Sequence, residues 1–370
     1  MLSALCTTAL LFASTPAPLV PSAAMKEALD SLAVVTPWLS SPDAFRDPKH
    51  HGDIAQSLDT LARLKHPFMR GAGASSTSVG QLYGSQAAWA RTDFLAGSTE
   101  SARYRVRGLT QLCLGCHVRE PTRDFVDAAK AVDKLQLPPL EQAQYLALTR
   151  QFDRALELWR TELARPMRLE PERFEQLEGL RLALQVAVRS RDDAKLTQQL
   201  LAPQLTRTAE LPDFAMRELK AWQKDAVAWE KERFVLGDQT PATLLARAKL
   251  LVEGSGVERT VAPVPEHFVS MLRAASYLDE LMRQAPEGPL RAEALYLLGV
   301  VHPSVSDSPL WQLEWMYFEA CIRENAGKPP ARLCADRLKD RTWYTWRSGA
   351  DMPAATRAAL GDLMALARTK

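Results

Sequence analysis

The sequence predicts an all-α protein with a four-helix segment near the N-terminus and a longer array of helix pairs after it. Leu, Ala, Arg, Glu and Gln are abundant and only 17 of 370 residues are Gly, a composition that favours helix because these side chains lose little rotamer freedom there. No window alternates β-branched or aromatic residues between turn signals, so no sheet is expected. From about Pro138 onward, apolar segments come in pairs joined by short turns, at a spacing of about 30 to 40 residues.

Length and composition set broad limits on function. The chain is long enough for two or three domains of roughly 100–200 residues each. Apolar residues make up 46% and charged residues 24% of the chain, which is typical of a soluble globular protein. The formal net charge of +2 favours neither nucleic-acid binding nor an electrostatic polyanionic partner.

Residues 1–24 are typical of a secretory signal peptide. Leu2 to Ala13 form an apolar run of signal-peptide length, followed by small residues that end at Ser22-Ala23-Ala24. The run is too short to span a bilayer, and Cys6 falls inside the segment that would be removed. The alternative is a frayed hydrophobic tail of a cytosolic protein. We therefore expect a periplasmic or otherwise extracytoplasmic protein.

Four helices are predicted within residues 25–125. They cover about Met25 to Leu39, His51 to Phe68, Gln81 to Ala96, and Ser98 or Thr99 to His117. The Gly- and Ser-rich stretch 71–80 ends the second helix, and Gly97 closes the third as a C-cap signal. In the fourth helix an apolar series at steps of three and four leads to both Cys113 and Cys116, which places the cysteines on its inward face. The members of this series are Ala102, Val106, Leu109, Cys113 and Cys116.

Residues 138–370 are predicted to form a scaffold domain of stacked helix pairs. The expected helices cover about 140–149, 152–163, 171–189, 192–201, 212–232, 241–252, 266–284, 290–300, 310–324, 330–340 and 353–368. Stacked helix pairs bury their apolar faces on one another, as in an α-solenoid. An irregular helical domain without repeats is the alternative.

Two stretches of this domain resemble tetratricopeptide repeats. The first is marked by Ala143, Ala147, Phe152, Ala155, Leu158 and Trp159, and the second by residues 292–299, Tyr317, Phe318 and Pro329-Pro330. The resemblance implies a helical-repeat scaffold that docks another protein. Neither stretch keeps every position of the repeat, and the second has a long insertion between its helices.

The motif Cys113-Leu114-Gly115-Cys116-His117 is the pattern of covalent haem attachment. Two thiols on one helical turn can add to the two vinyl groups of haem, and the adjacent imidazole can then bind the iron. A thioredoxin-like dithiol would follow a strand, and none is predicted nearby. A zinc site would need two further ligands, but Cys321 and Cys334 are far along the chain. We therefore expect one covalent haem c.

A four-helix segment with this motif near the end of its last helix resembles the class II, cytochrome c-prime-like, c-type cytochromes. The resemblance covers roughly residues 25 to 120 and is carried by the motif, by Phe94 and Gly97, and by the apolar series that leads to Cys113. It implies a four-helix bundle with haem held by Cys113 and Cys116 and with His117 as proximal iron ligand. The chain departs from the family in its short first helix and in lacking a clear counterpart for the distal site.

His66 is the predicted second axial ligand, which binds the haem iron together with His117. In an up-down bundle the second and fourth helices are parallel, so the end of the second lies beside the haem. The remaining candidates are His50, His51, Met69 and Met25. His51 has the better helical phase but stands at the wrong end of its helix, and the alternative for His66 is to cap a helix C-terminus through the helix dipole. His267 and His302 are expected to be scaffold residues.

Three other groups of residues carry weaker functional signals than the haem motif. Cys321 and Cys334 flank a short turn and are expected to form a disulfide in an exported protein; two buried thiols are the alternative. Seven aromatic residues are expected to pack rather than to line a binding groove: Trp311, Trp315, Tyr317, Phe318, Trp343, Tyr344 and Trp346. Arg103, Arg105 and Arg107, just before the motif, could be solvated or could pair with haem propionates.

The expected function is electron transfer by an exported monohaem cytochrome whose scaffold docks a redox partner or another periplasmic protein. Alternatives are a haem-based sensor or gas-binding module and a structural scaffold for protein interaction. No enzyme activity is expected, because no phosphate loop, Ser/His/Asp set or carboxylate pair stands out. Neither a nucleic-acid partner nor an integral membrane segment is expected.

Overall fold

A computed structural model describes residues 23–39, 42–64, 74–117, 137–166, 172–207, 211–284, 287–305, 313–346 and 352–369. These residues contain sixteen α-helices and no strand. The prediction of an all-α protein is therefore confirmed. The predicted signal peptide, residues 1–24, lies almost entirely outside the described residues.

Five helices form the N-terminal part of the chain. They are α1 (Ala23–Leu39), α2 (Pro42–Arg46), α3 (His51–Arg63), α4 (Ala74–Leu95) and α5 (Thr99–His117). Helix α1 contacts α3, α3 contacts α4, α4 contacts α5, and α5 returns to α1. These helices enclose an N-terminal core, to which one residue from far along the chain, Met316, also belongs. Its largest members are Leu32, Phe45, Ile54, Leu58, Leu61, Tyr83, Phe94, Val106 and Leu109.

Eleven further helices follow in the described part of the chain. They are α6 (Pro139–Leu148), α7 (Phe152–Leu163), α8 (Glu172–Gln185), α9 (Ala194–Leu205), α10 (Asp213–Glu230), α11 (Pro241–Ser255), α12 (Phe268–Arg283), α13 (Gly288–Val305), α14 (Leu313–Glu324), α15 (Pro329–Thr345) and α16 (Ala354–Arg368). Successive helices pack on each other from α11 to α16, and α11, α13 and α15 also contact along the series. Their apolar faces form one scaffold core.

Helix caps explain several of these boundaries. Asp193 accepts a hydrogen bond from the backbone N–H of Leu196 at the start of α9, and Thr240 does the same for Thr243 at the start of α11. Such caps satisfy N–H groups that have no partner within the helix. At its other end α11 stops at Gly256, whose φ of 68° is the left-handed conformation that favours glycine.

Helix α14 joins the two cores. It packs on α4 of the N-terminal part as well as on α13 and α15. Met316 is buried in the N-terminal core, and Tyr317 packs on both cores. Non-polar burial of this kind is the main favourable term in folding, so it holds the N-terminal helices against the scaffold.

The predicted disulfide between Cys321 and Cys334 is confirmed. The two sulfur atoms are 2.02 Å apart and the Cα atoms 6.3 Å apart. Both cysteines are fully buried. The bond links α14 to α15 across the turn that contains Gly327.

Several boundaries differ from the sequence prediction. Helix α3 ends at Arg63, not near Phe68, since Leu64 is already extended. Helix α4 begins at Ala74, inside the Gly- and Ser-rich stretch that was expected to be a turn; helix propensity is only a weak guide to where a helix starts. The short helix α2 was not predicted, although its Phe45 is fully buried. Helix α13 runs past Pro303 to Val305, because a proline in a last turn removes only one internal hydrogen bond.

Candidate haem-attachment site

The start of α5 is fixed by a tight turn from α4. Gly97 has a φ of 82°, and the backbone N–H of Ser98 donates to the carbonyl of Asp93 at 2.8 Å. The Asp93 carboxylate accepts from the Ser101 hydroxyl at 2.6 Å and from Arg105 Nε at 2.8 Å. The hydrogen bond from Ser101 and the Arg105 charge lower the pKa of Asp93. The turn therefore sets the direction in which α5 leaves α4.

The end of α5 carries the haem motif. The helix is unbroken from Thr99 to His117, so Cys113, Cys116 and His117 belong to its last two turns. Their side chains lie outside the described residues. Upstream on the same series, Ala102, Val106 and Leu109 are fully buried in the N-terminal core. Thus the series predicted to face inward does so at every position where side chains are described.

Each of the three arginines before the motif binds a carboxylate of the protein. Arg103 donates to Glu100 at 3.1 Å and to the Leu39 carbonyl at 2.6 Å. Arg105 binds Asp93 in the turn between α4 and α5. Arg107 binds Glu178 of α8 at 3.2 Å. Their guanidinium groups therefore fasten α5 to its neighbours.

His50 and His51 lie at the end of α5 that is opposite to His117. The His51 ring contacts Phe94 edge-on, with centroids 5.0 Å apart, and the His50 ring stacks on Trp38 at 4.4 Å. Phe94 lies in the last turn of α4, just before α5 begins, and Arg46, four residues before His50, binds Glu100 in the first turn of α5 at 2.9 Å. About 25 Å of helix separates that turn from His117, at 1.5 Å per residue. Neither histidine is placed to bind an iron held by His117.

The remaining axial candidates are not located. His66 and Met69 lie outside the described residues, as does the Met25 side chain. Helix α3 ends at Arg63, three residues before His66 in the sequence. Among described side chains, no group of three or more His, Cys, Asp or Glu residues could hold a metal ion.

A cleft of about 730 Å³ separates α5 from the scaffold. One wall is the outer face of α5, with Tyr104, Arg107 and Gly108; the other comes from α8 and α10, with Arg181 and Phe214. Arg107 crosses the cleft to Glu178. Sequence reasoning missed this cleft, because nothing local in the chain signals that residues so far apart face each other.

Deeper in the scaffold, His302 is buried beside Tyr317, with ring centroids 4.9 Å apart. Burial, with a smaller contribution from the charge of Arg189, lowers the pKa of His302 to about 3. Of the aromatic group, Phe318 is buried and Trp315, Tyr317 and Trp346 pack on the scaffold core, whereas Trp343 and Tyr344 are about half exposed. Trp311 lies outside the described residues.

None of the described helices is both long and apolar enough to cross a membrane. Comparison with known proteins finds no matching family model, curated protein or solved structure.

Proposed function

We propose that the protein is an exported c-type cytochrome that carries one covalent haem and transfers electrons. The observation that carries this proposal is the continuous helix through Cys113, Cys116 and His117. On a helix, residues three apart lie on the same side, about 4.5 Å apart along the axis. The donor set thus fits haem c, with two thiols to hold the porphyrin and an adjacent imidazole to bind the iron.

The arrangement of the N-terminal helices supports a class II cytochrome domain over residues 25–125. Helices α1, α3, α4 and α5 contact one another in a closed order around a shared core. The haem motif stands at the C-terminal end of the last of them. A bundle of this kind excludes water from one side of a cofactor and leaves its edge near the surface.

When bound, haem supplies a one-electron centre whose potential depends on its axial ligands and on the polarity around it. The chain's own contribution is to position those ligands. The Gly97 turn and the ion pairs of Arg103, Arg105 and Arg107 fasten α5 to its neighbours, which would orient the helix that carries His117. His66 would bind the iron together with His117, because His50 and His51 are engaged elsewhere.

We assign residues 138–370 to a tetratricopeptide-like scaffold that docks a redox partner in the periplasm. Paired helices and the contacts among α11, α13 and α15 support stacking of the kind seen in solenoids. Such arrays present long surfaces to other proteins. No group suited to catalysis is part of this proposal.

A second candidate function is a haem-based sensor or gas-binding module. It is favoured by the direct contacts between the haem-bearing helix and the scaffold. Gln144 of α6 donates to the buried Thr110 hydroxyl at 2.8 Å, and Arg107 binds Glu178. A change in iron ligation that moved α5 would be transmitted to the scaffold through these two contacts.

Optical spectra of the purified protein test these proposals. A low-spin spectrum in both oxidation states that is unchanged by CO supports electron transfer. A high-spin spectrum that shifts with CO contradicts it and favours the sensor. His66→Ala should convert a low-spin spectrum to high spin. His51→Ala should leave the spectrum unaltered, because His51 lies near the end of α5 that is opposite to His117. An unaltered spectrum in His66→Ala removes His66 as a ligand.

The covalent attachment is tested separately. The double substitution Cys113→Ala and Cys116→Ala should abolish haem staining of the denatured protein. The matched control is Cys321→Ser with Cys334→Ser, which removes the same number of cysteines and should keep the haem. Covalent haem in the first variant would refute the proposal.

A further inference from the structure

A groove of about 690 Å³ lies between α11, α13 and α15. Its floor is apolar and includes Val252 and Leu297, which are buried. Tyr296 forms part of one wall, and Leu333 of α15 stands at the rim with 52% of its surface exposed. Exposed apolar surface that is rimmed by polar residues is a common feature of sites that bind other chains.

The groove is lined by more acidic than basic side chains. Among the described residues, Lys249 is its one lining cation, and its ammonium group donates a hydrogen bond to Glu293 at 2.6 Å. This hydrogen bond raises the pKa of Lys249. Glu253 and Glu258 also line the groove, and neither forms a salt bridge with any residue in the described ranges. Lys249 is attracted by both carboxylates but hydrogen-bonds only Glu293. One cation thus faces three lining carboxylates, and the groove is acidic.

The structure holds Glu258 at the groove. Gly256 ends α11 in the left-handed conformation, and the short 3-10 helix Val257–Arg259 that carries Glu258 then packs on α11 and α13. Arg337 of α15 lies near but donates to the backbone carbonyls of Val257 and Thr260. It fastens this turn to α15 through these carbonyls, and its charge also attracts Glu258, with no salt bridge between the two side chains.

We propose that this groove binds a short segment of a partner protein in which lysine or arginine side chains alternate with apolar ones. The apolar side chains would lie on Val252, Leu297 and Leu333, and the cations would pair with Glu253 and Glu258. Charge complementarity selects this occupant, because an acidic segment would be repelled by the excess of carboxylates. The proposal names the kind of partner for the docking role assigned above to the scaffold and rests on that role.

Fluorescence anisotropy of the full-length, haem-loaded protein tests it. The probe is a fluorescein-labelled peptide in which lysines are interspersed with leucines, and the comparison peptide has glutamate at each lysine. The lysine peptide should bind, with an affinity that falls as salt is added, and the glutamate peptide should not. Glu253→Gln with Glu258→Gln should weaken binding about three- to tenfold, the effect of two partly exposed ion pairs.

Two further substitutions should change the affinity for the lysine peptide in opposite directions. Lys249→Met frees Glu293 and should tighten binding of the lysine peptide, whereas Leu333→Ala should weaken it. The matched control is Glu27→Gln with Asp362→Asn, which removes two exposed carboxylates outside the groove and should leave the affinity unchanged.

Three results would overturn the proposal: no binding of the lysine peptide, equal binding of both peptides, or equal affinity in the wild type and the Glu253→Gln, Glu258→Gln variant. Displacement of the peptide by an equal concentration of spermidine would also overturn it, since charge alone would then be recognised. Peptide binding does not depend on haem spectra, so failure here leaves the cytochrome proposal intact, and the reverse also holds.

Discussion

At the scale of single residues, Gly299 controls how closely α13 and α14 approach. A Cβ atom at this position would lie 2.5 Å from Cε1 of Phe318, which is far inside van der Waals contact. The Phe318 ring is itself buried and has little room to move. Glycine at position 299 thus allows α13 and α14 to pack closely. Its backbone conformation is one that any residue could adopt.

Gly299→Ala should therefore destabilise the protein by about 1–3 kcal/mol, the usual cost of overpacking a core. Gly361→Ala is the matched control, because Gly361 lies inside α16 and a Cβ atom there would have no neighbour within 4 Å. It should stabilise by up to about 1 kcal/mol through helix propensity. Urea unfolding followed by circular dichroism measures both. Equal effects of the two substitutions would contradict the packing argument.

His302 makes stability depend on pH. Its pKa is about 3 in the folded protein and about 6.5 when unfolded, so below pH 6.5 the unfolded chain binds the extra proton. The stability contributed by the neutral ring is present above pH 6.5 and is lost as pH falls towards 3, at up to about 1.4 kcal/mol per pH unit. His302→Leu should unfold with a shallower pH slope between 6.5 and 4. An unchanged slope would show that His302 is protonated or exposed in the folded state.

At the scale of elements, the α14–α15 hairpin is held by its disulfide as well as by packing. Closing a loop of this size restricts the unfolded chain and stabilises a protein by about 3 kcal/mol. Cys321→Ser with Cys334→Ser should lower the free energy of unfolding by about 2–5 kcal/mol. Urea unfolding of the oxidised wild type against this variant measures the loss. No change would mean that α14 and α15 hold their register without the bond.

Several helices and the disulfide were predictable because their signals are local. Helix α7 begins and ends where the apolar period and its flanking turn residues place it, at Phe152 and Leu163. The Cys-x-x-Cys-His motif and the spacing of Cys321 and Cys334 can likewise be read from neighbouring residues. Helix α2 was missed because five residues are too few to show a period.

Contacts between distant elements were not predictable in this way. The Arg107–Glu178 ion pair and the packing of α14 on α4 depend on how helices are arranged, and no periodicity in the chain encodes that. The same limit applies to the groove around Glu253 and Glu258, whose walls come from three separate helices. Helix α4 begins in a Gly- and Ser-rich stretch, where local propensity did not predict a helix.

At the scale of the whole molecule, α14 makes the N-terminal helices and the scaffold dependent on each other. Met316 is 4% exposed and lies in the N-terminal core, although its helix belongs to the scaffold. Gln144 and Arg107 add polar bonds across the same boundary. The N-terminal helices and the scaffold should therefore unfold together.

Met316→Ala should destabilise the protein by about 2–5 kcal/mol, as expected for a large-to-small change in a core. Val235→Ala, at a position 66% exposed, is the control and should change stability by less than about 0.5 kcal/mol. In the wild type, thermal transitions followed by far-ultraviolet circular dichroism and by haem absorbance should coincide. Two separate transitions would show that the scaffold folds independently.

The buried disulfide also has a consequence for maturation. Haem attachment as proposed consumes Cys113 and Cys116 as free thiols, whereas Cys321 and Cys334 are joined in the same chain. A reductant that keeps Cys113 and Cys116 as free thiols would also encounter the Cys321–Cys334 disulfide in the same compartment. Because thiol exchange requires access to a sulfur atom and both sulfurs of the scaffold pair are fully buried, folding of α14 on α15 would protect that bond. The two cysteine pairs can thus keep opposite oxidation states until the haem is in place.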